Sequence, residues 1–427
     1  MTRYSNSEDW LARAEQTIPL GSQTFSKSRT QYPVGISPLY IKKAKGSYVW
    51  DLDNHKYFDL VSSLASVTLG YNHRQINRAV GRQLKKGVSF SLPGTLEAEV
   101  AELICDLVPS AEMVRFGKNG TDATSAAVRL ARAYTGRDHI AVCGYHGWQD
   151  WYIGSTSRNK GVPNSVSELT SVFQYNDIAS LEKIIASQPQ LACVIMEPMN
   201  AHYPEANFLE DIRVITQKYG IVLIFDETIT GFRFRKGGAQ ELFGVTPDLS
   251  TFGKGIANGF PLSAVVGKRE IMQEMENIFF SGTFGGELLS LAAAKSVLKM
   301  HEKNQITQSL HDIGFEISSK LEKVISETKL ENTLQISGHP SWKFLNWKQS
   351  YETEVGVIRT YFLQEMFASG ILVLNTHNVN LAMTDNDINT LVEKYTVVLS
   401  HLKALLESGK LSGELNVKPL EPLFKVR

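Results

Sequence analysis

Between about residues 96 and 270, stretches with apolar residues at helical spacing alternate with short continuous apolar runs. Such alternation is typical of a largely parallel sheet covered by helices on both faces. The predicted elements are helices at 121–134 and 208–219 and strands at 140–143, 191–196, 221–225 and 263–267. Asn119 and Gly136 mark the two ends of the first helix. The middle of the chain is therefore predicted to be an α/β domain.

The two ends of the chain carry a different pattern, in which proline and glycine interrupt the early residues and amphipathic stretches return late. The elements predicted there are a hairpin at 47–53 and 56–58, helices at 310–326 and 385–408, and a strand at 371–374. We expect segments 1–65 and 311–427 to form one smaller α+β domain beside a large domain at 66–310.

Composition narrows the range of partners. The chain has 427 residues and is 43% hydrophobic, which is enough for a substantial core. Its 44 basic side chains equal its 44 acidic ones, so charge gives no sign of a nucleic acid or an anionic membrane as partner. A polar N-terminus and the lack of an apolar run of about 18 residues predict a cytoplasmic protein without a membrane segment. Small molecules are the expected partners.

Cysteine and histidine positions bear on disulfides and metals. Cys105, Cys143 and Cys193 are odd in number, widely spaced and placed beside apolar residues. This pattern favours buried free thiols over a disulfide framework or a zinc site. The 10 histidines show no metal-ligand spacing either. No metal is therefore predicted.

An acid follows one of the predicted strands. Asp226 comes directly after the apolar run 221–225, so its carboxylate is expected at the carboxyl edge of the sheet, where ligands bind in open α/β folds. Beside a pyridine nitrogen, such an acid would keep a pyridoxal ring protonated and electron-withdrawing. The alternatives are a helix-capping acid and the magnesium-binding acid of an ATPase. The ATPase alternative needs a Gly-x4-Gly-Lys-Ser/Thr loop, which the chain lacks.

A lysine in a glycine-rich setting comes next along the chain. Lys254 lies close to Gly253, Gly255 and Gly259, which let the backbone turn tightly beside a ligand. Burial would lower the pKa of its ammonium, and a neutral amine is what Schiff-base formation requires. A solvated lysine in a glycine loop is the alternative.

Two further segments have candidate chemistry. Residues 119–121, Asn-Gly-Thr, open a helix whose free N–H groups suit a phosphate, although simple capping explains them equally well. Tyr145 lies in a loop with glycines at 144 and 147, where it could stack on a heteroaromatic ring or pack in the core. His146 could pair with a cofactor or bond a loop carbonyl. With the acid and the lysine, these groups occur in chain order on one predicted sheet and together indicate pyridoxal 5'-phosphate.

Over nearly its whole length the chain resembles the class III pyridoxal-phosphate aminotransferases, and within them the glutamate-semialdehyde aminomutases. The resemblance is carried by AKGSYVWD at 44–51, NGTDA at 119–123, RLARAYTGR at 129–137, YHG at 145–147, EP at 197–198, FDETITGFR at 225–233, GVTPDL at 244–249 and GK at 253–254. It implies the fold type I of pyridoxal-phosphate-dependent transferases, similar to aspartate aminotransferase. It also implies a homodimer with the active site at the interface.

The resemblance implies roles for individual residues. Lys254 would form the Schiff base with the cofactor, and Asp226 would hold the pyridine nitrogen. The other residues expected to bind the cofactor are Asn119, Gly120, Thr121, Tyr145, His146, Glu197, Thr228 and Thr283.

Within that set, the resemblance divides the contacts between phosphate and ring. Gly120 and Thr121 would bind the phosphate, and Thr283, in the segment 281–286, would reach the phosphate of the partner subunit. Tyr145 would stack on one face of the ring and Thr228 would lie against the other.

Several positions depart from the aminomutase pattern. Residues 23–27, Gln-Thr-Phe-Ser-Lys, stand where that family carries an arginine, Val142 stands in place of a glutamate, and the loop at 374–380 is short. Glu287 and Leu288 replace the usual Asn-Pro after the interface glycines, which changes loop shape more than chemistry. Most of these differences concern the substrate.

We therefore predict an aminotransferase that passes an amino group to a polar aldehyde or keto-sugar, with Thr24, Lys27 and His377 as candidate substrate residues. The alternative is the glutamate-1-semialdehyde 2,1-aminomutase reaction, in which donor and acceptor are two carbons of one molecule. A non-enzymatic binding protein on the same fold would lack Lys254, and an ATP-dependent enzyme would need the missing phosphate loop.

Overall fold

The structure is a computed structural model that describes residues 3–421. Its strands are β1 Ile41–Lys45, β2 Tyr48–Asp51, β3 Lys56–Asp59, β4 Met113–Gly117, β5 His139–Cys143, β6 Thr170–Val172, β7 Leu191–Met196, β8 Val222–Asp226, β9 Leu249–Phe252, β10 Ser263–Gly267, β11 Leu334–His339, β12 Trp342–Trp347, β13 Ile371–Leu372 and β14 Thr376–Asn378.

Its helices are α1 Ser5–Glu15, α2 Ser62–Ala65, α3 Arg74–Leu84, α4 Thr95–Leu107, α5 Gly120–Thr135, α6 Asp150–Ile153, α7 Asn164–Ser167, α8 Ile178–Ser187, α9 Phe208–Lys218, α10 Ala239–Phe243, α11 Arg269–Met272, α12 Leu288–Lys303, α13 Ile306–Glu327, α14 Val355–Ala368 and α15 Asp385–Glu407. No helix within residues 3–421 has both the length and the apolar character that a membrane crossing requires.

The chain divides into two compact units. The central unit comprises residues 74–308, and the terminal unit combines the residues up to His73 with those from Ser309 onward. The sequence predicts a terminal domain built from both ends, with its first boundary at residue 65. In the structure residues 66–73 also belong to the terminal unit.

The central unit is built on a sheet that contains, among the described residues, seven strands in the order β4-β10-β9-β8-β7-β5-β6. β10 runs antiparallel to β4 and β9, whereas the other neighbouring strands are parallel. β7 and β8 are buried at every residue, as expected for parallel strands covered on both faces. The predicted, largely parallel α/β sheet is confirmed, and the strands at 191–196 and 263–267 have the predicted bounds.

Helix α5 carries the candidate phosphate-binding residues at its first turn. Its alanine-rich face packs in one core cluster with residues of β5, β7, β8 and β9, including Val142, Ile195 and Ile224. At its other end Gly136 adopts a left-handed conformation, with φ 65°, that closes the helix. Small side chains let the helix lie close to the sheet, and this packing fixes where its N-terminus points.

The terminal unit contains two small sheets within the described residues, with strand orders β1-β2-β3-β13 and β11-β12-β14. The predicted hairpin is present as β2 and β3, which are antiparallel. β13 pairs in parallel with β3, which joins the two ends of the chain in one sheet. Residues 376–378, predicted as part of a short loop, instead form β14 against β12, because their backbone completes the second sheet.

Helix α2 is a left-handed turn rather than an ordinary helix. Ser62, Ser63, Leu64 and Ala65 have φ values of 45°, 50°, 57° and 66°. Each such residue with a Cβ costs roughly 1–2 kcal/mol relative to the right-handed conformation. The turn is held by Asp59 Oδ1, which accepts the N–H groups of Val61 at 2.7 Å and Ser62 at 3.1 Å. On the other side Ser62 Oγ donates to the carbonyl oxygen of Asn378 at 2.8 Å.

A buried histidine in α12 makes the central unit sensitive to acid. The His301 side chain is 0% exposed and lies against the Phe232 ring, with 5.7 Å between ring centroids. Neither ring nitrogen has a hydrogen-bond partner in the described part of the chain. Burial, together with the charge of Lys236, lowers the pKa of His301 to about 4. The folded protein therefore binds a proton on the His301 ring less well than the unfolded chain does.

We expect His301→Leu to reduce the loss of stability that acid causes. An unfolded histidine has a pKa of roughly 6.5, so the contribution of neutral His301 is complete above that pH and is lost as the pH falls from 6.5 towards 4. By pH 5 the loss amounts to about 2 kcal/mol. The urea midpoints of unfolding at pH 7 and pH 5 measure this loss of stability. The difference between the two midpoints should be smaller in His301→Leu than in the parent. An equal difference in the parent and the variant contradicts this assignment.

Candidate active site

Four neighbouring parallel strands end at one edge of the central sheet. Cys143, Met196 and Phe225 lie level across β5, β7 and β8, and Asp226 pairs with Thr251 of β9. Because the strands are parallel, the residues that follow them emerge at the same edge. Those residues are Gly144, Tyr145, His146, Glu197, Gly253 and Lys254. Groups that are far apart in sequence thus come together in one place.

The Asp226 carboxylate is 5% exposed and is hydrogen-bonded on both oxygens. Thr251 Oγ1 donates to Oδ1 at 3.0 Å, Thr228 donates to the same atom from its N–H at 3.1 Å and its hydroxyl at 2.5 Å, and His146 Nδ1 lies 2.9 Å from Oδ2. Burial alone would raise the pKa of Asp226. The hydrogen bond and charge of His146 and the bonds from Thr228 outweigh burial and hold that pKa below its ordinary value. The carboxylate is therefore ionised and fixed in orientation.

His146 lies behind that carboxylate and is 1% exposed. Its Nε2 is 3.1 Å from the carbonyl oxygen of Cys143, which can only accept, so Nε2 carries a proton. Its ring is nearly parallel to that of Trp151, with 14° between the planes. The sequence left open whether His146 meets a cofactor or a loop carbonyl. In the structure it bonds the carbonyl and, through Nδ1, Asp226.

Lys254 is separated from β9 by Gly253 alone and begins a 3-10 turn, Lys254–Ala257. Its backbone is left-handed, with φ 44°. Burial lowers the pKa of the Lys254 ammonium to about 8, although the Glu197 and Asp226 carboxylates favour the charged form. Arg233 adds a smaller lowering effect. A neutral amine is therefore accessible near neutral pH.

The first turn of α5 forms a close-fitting cradle with the lysine loop. A Cβ on Gly120 would lie 3.1 Å from Thr228 Cγ2, and a Cβ on Gly253 would lie 3.2 Å from the same carbon. Thr121 is 5% exposed, and its hydroxyl has no hydrogen-bond partner among residues 3–421. A buried hydroxyl without a partner, beside the free N–H groups of a helix N-terminus, suits a phosphate.

The loop after β5 is shaped by the Glu197 carboxylate, which is 8% exposed. Its Oε2 accepts the N–H of Tyr145 at 3.0 Å and Asn200 Nδ2 at 2.7 Å. A Cβ on Gly144, whose φ is 104°, would lie 2.5 Å from that oxygen, so only glycine fits there. Burial and the nearby Asp226 charge raise the pKa of Glu197. Tyr145 remains 50% exposed above this loop.

Asn119 and Thr283 lie close to the cradle in different ways. The N–H of Asn119 donates to Asp122 Oδ2 at 2.8 Å, which closes the N-terminus of α5. Thr283 belongs to the segment 281–286 and is exposed. It lines a cavity of about 400 Å³ in the central unit together with Lys118 and Arg129.

The three predicted substrate residues lie in the terminal unit and differ in accessibility. Thr24 and Lys27 are exposed and line a cavity of about 540 Å³ in that unit. His377 is 1% exposed on β14, and its Nε2 is 2.6 Å from the Tyr395 hydroxyl. The structure thus places His377 in the core of the terminal unit, where the second sheet covers it, and only Thr24 and Lys27 remain open to a ligand.

Thr251 is a site residue that the sequence did not reveal. It reaches Asp226 only because β8 and β9 are neighbours in the sheet and the two residues are in register. A hydroxyl residue three positions before Lys254 is a weak signal, and it acquires meaning once the strand order is known.

Residues 31–406 match the family model Aminotransferase class-III, and the protein belongs to this family. Among curated relatives, the glutamate-1-semialdehyde 2,1-aminomutase of Syntrophomonas wolfei is 38% identical over 345 residues, which cover 76% of this chain and 79% of that protein.

Solved structures agree with this assignment. An omega-transaminase from Sphaerobacter thermophilus is 29% identical with a TM-score of 0.84, and the match covers 93% of this chain and 98% of that one. The FumI protein of Sphingopyxis sp. MTA144, solved in its PLP internal aldimine form, is 26% identical with a TM-score of 0.88 and coverage of 97% and 99%. The protein is thus a pyridoxal-phosphate-dependent enzyme of fold type I.

The residues of the site fit this cofactor. Thr121 offers a buried hydroxyl without a partner, Asp226 an ionised carboxylate, and Lys254 an amine with a lowered pKa. Around the helix N-terminus the Cβ-free surfaces of Gly120 and Gly253 leave room for close approach.

Proposed function

We propose that the enzyme is an aminotransferase that passes an amino group from an amino donor to a polar aldehyde or keto-sugar, with Lys254 as the lysine that attaches the cofactor. The observation that carries the choice of Lys254 is its place one glycine after β9, at the sheet edge where Asp226 and Glu197 also lie, together with a pKa that burial lowers to about 8. Only a neutral amine attacks a carbonyl carbon, and only an amine with a pKa near the working pH both takes and returns a proton efficiently.

Bound pyridoxal phosphate supplies an electron sink for the substrate carbon and carries the amino group between the two half-reactions. Lys254 would remove a proton from the substrate carbon and return it to the cofactor carbon. Asp226 would hold the ring nitrogen with its charge, and His146 and Thr251 keep that carboxylate in one orientation. Because these donors are fixed before substrate arrives, little reorganisation accompanies the change in charge.

The remaining cofactor contacts are assigned as follows. Gly120 and Thr121 would hold the phosphate through N–H groups and the Thr121 hydroxyl, and Asn119, whose N–H is bound to Asp122, would lie beside it. Tyr145 would stack on one ring face, and Thr228 would lie against the other. Glu197 fixes the Tyr145 loop through the 3.0 Å bond to its N–H.

We assign a homodimer in which Thr283 of each copy reaches the phosphate of the other. Two large aromatic side chains support a covered surface near Thr283, because Phe279 is 82% and Phe284 60% exposed in the single chain. Sedimentation at several protein concentrations measures the assembly, and a monomer at micromolar concentration contradicts it.

The choice of acceptor rests on the polar groups of the terminal-unit cavity. Several are already engaged: Tyr40 donates to the Gly21 carbonyl oxygen at 2.8 Å, Tyr71 donates to Asp59 at 2.6 Å, and Arg29 pairs with Glu15. Lys27 lines the same cavity and has no ion-pair partner in the range 3–421. A free ammonium beside hydroxyl-bearing residues suits an acceptor rich in oxygen atoms.

The aminomutase reaction is the second candidate, and the 38% identical aminomutase of Syntrophomonas wolfei favours it. A two-stage experiment separates the candidates. First, amino donors are screened for the change in cofactor absorbance that accompanies loss of the amino group. The aminated enzyme is then offered aldehydes, keto-sugars and glutamate semialdehyde. Recovery of the original spectrum with glutamate semialdehyde alone would establish the aminomutase and exclude our acceptor class.

Lys27→Gln is expected to raise the KM for the acceptor about tenfold, with little change in kcat, because it removes one charge-assisted hydrogen bond to the substrate. Steady-state kinetics with saturating donor measures both constants. Lys27→Arg should restore most of the affinity, and Lys45→Gln, at another exposed lysine of the same unit, is the matched control. An unchanged KM in Lys27→Gln removes this residue from the acceptor site.

A further inference from the structure

An ion pair connects the start of the cofactor cradle to the end of the segment 281–286. Lys118 Nζ lies 3.0 Å from Glu287 Oε2, and the two side chains are only 18% and 13% exposed. Lys118 stands between β4 and α5, directly before Asn119. Glu287 stands at the N-terminus of α12. The pair thus links two helix N-termini that are far apart in sequence.

The Glu287 carboxylate is itself fixed. It accepts the N–H of Leu289 at 2.6 Å, the N–H of Ser290 at 3.2 Å and the Ser290 hydroxyl at 2.7 Å. Burial would raise the pKa of Glu287, but the hydrogen bonds from Ser290 and Lys118 hold it below its ordinary value. Glu287 is therefore an ionised helix cap, and it gives Lys118 an anchor that does not move freely.

The backbone of Lys118 is fixed at the same time. Its N–H donates to Asp122 Oδ2 at 2.9 Å, and the same oxygen accepts the N–H of Asn119 at 2.8 Å. Asp122 lies in the first turn of α5, two residues after Gly120. The Lys118 backbone is therefore tied to the first turn of α5, while its side chain is paired with Glu287.

The other end of the segment is held separately. Arg129 Nη1 donates to the carbonyl oxygen of Phe279 at 2.6 Å, and Arg115 Nη2 donates to that of Phe280 at 3.2 Å. Between these bonds and Glu287 lies Thr283, which shares its cavity with Lys118. The ion pair thus holds the C-terminal end of the segment 281–286.

We propose that Lys118 and Glu287 are positioning residues for the cofactor phosphate: their ion pair holds the first turn of α5 and the segment 281–286 in the arrangement that receives it. The proposal rests on the proposed function, which assigns the phosphate to Gly120 and Thr121. From its sequence position, Glu287 is expected to change loop shape more than chemistry. The structure gives its charge a partner beside the cradle.

A direct contact between Lys118 and the phosphate makes the opposite prediction for one variant. If Lys118 bound the phosphate itself, Glu287→Gln would free the ammonium, remove a nearby negative charge and tighten binding. If the pair positions the cradle, both Lys118→Met and Glu287→Gln weaken binding. Whether Glu287→Gln tightens or weakens binding therefore distinguishes a direct phosphate contact by Lys118 from positioning of the cradle.

The experiment titrates the cofactor-free protein with pyridoxal phosphate and, separately, with pyridoxal, which has no phosphate. We expect each variant to raise the dissociation constant for pyridoxal phosphate about tenfold and to leave that for pyridoxal nearly unchanged. The double variant should resemble either single one, since each removes the same pair. Lys118→Arg, which keeps the charge, should bind nearly as the parent does. Unchanged or tighter binding of pyridoxal phosphate by Glu287→Gln overturns the proposal.

Two controls complete the test. Lys295→Met removes another ion pair of α12, with Glu99, and should not change cofactor affinity. A general loss of structure would weaken pyridoxal and pyridoxal phosphate alike, and that outcome also overturns a specific role in phosphate positioning. Thr121→Ala tests the underlying assignment: unchanged pyridoxal phosphate affinity there would remove the phosphate site itself. If Thr121→Ala weakens pyridoxal phosphate binding and Glu287→Gln does not, the phosphate site stands and the positioning role of the ion pair is wrong.

Discussion

Lys254→Ala is expected to lower the turnover of the enzyme about a thousandfold or more, because in the proposed mechanism this one residue both attaches the cofactor and moves the proton. The cofactor should still bind through the cradle at Gly120 and Thr121 and through Asp226, but without a covalent link. Stopped-flow absorbance with a saturating donor measures the loss of the first half-reaction, and reduction with borohydride followed by mass spectrometry measures the link.

The lowered pKa adds a pH signature to this prediction. In the cofactor-free parent, attachment of pyridoxal phosphate should become faster as the pH rises through about 8, since the neutral amine becomes the major form there. Lys303→Ala, at an exposed lysine of α12, is the matched control and should behave as the parent does. Substantial turnover in Lys254→Ala, or covalent attachment without Lys254, would exclude its assigned role.

Asp226→Asn is expected to have the second largest effect, a fall in kcat of about a hundredfold or more. The amide keeps the size of the side chain and one acceptor oxygen for Thr228 and Thr251. It removes the negative charge that we propose holds the ring nitrogen, and it places an NH2 group near His146. Steady-state kinetics and the cofactor dissociation constant together measure the change.

The neighbouring acid provides the comparison for Asp226. Glu227 is 0% exposed, and its carboxylate accepts the N–H groups of Ala239 at 2.6 Å and Gln240 at 2.9 Å. Each oxygen of Glu227 accepts two donors, so an amide there would leave donors facing an NH2 group and cost stability. Glu227→Gln should lower the melting temperature without a comparable fall in kcat. Equal kinetic losses in the two variants would mean that Asp226 acts through the fold and not through its charge.

Much of the central unit is predictable from the sequence, and the reason is physical. Strands buried on both faces must be continuously apolar, so the bounds of β7 and β10 can be read directly. Parallel strands place their following residues at one edge, so Tyr145, Asp226 and Lys254 are expected together before any coordinates are known.

What the sequence does not disclose depends on pairing between distant segments. Thr251 reaches Asp226 through strand order and register, and Lys118 meets Glu287 across 169 positions. His377 has a residue type common in binding sites, yet β14 carries it into a core. Local composition contains none of this information, because each contact is decided by where another part of the chain lies.

The left-handed backbone of the turn Ser62–Ala65 is especially hard to predict from the sequence, because none of its residues is a glycine. Its conformation is held by Asp59 and Asn378 and not by local preference. Laboratory evolution could therefore raise the stability of the protein at this turn. A glycine introduced at Ser63 or Leu64 would relieve roughly 1 kcal/mol of backbone strain. Ordinary helix-favouring replacements would deepen the conflict there. A search for heat-tolerant variants should therefore begin in this turn, where the residue usually avoided in helices is the favourable one.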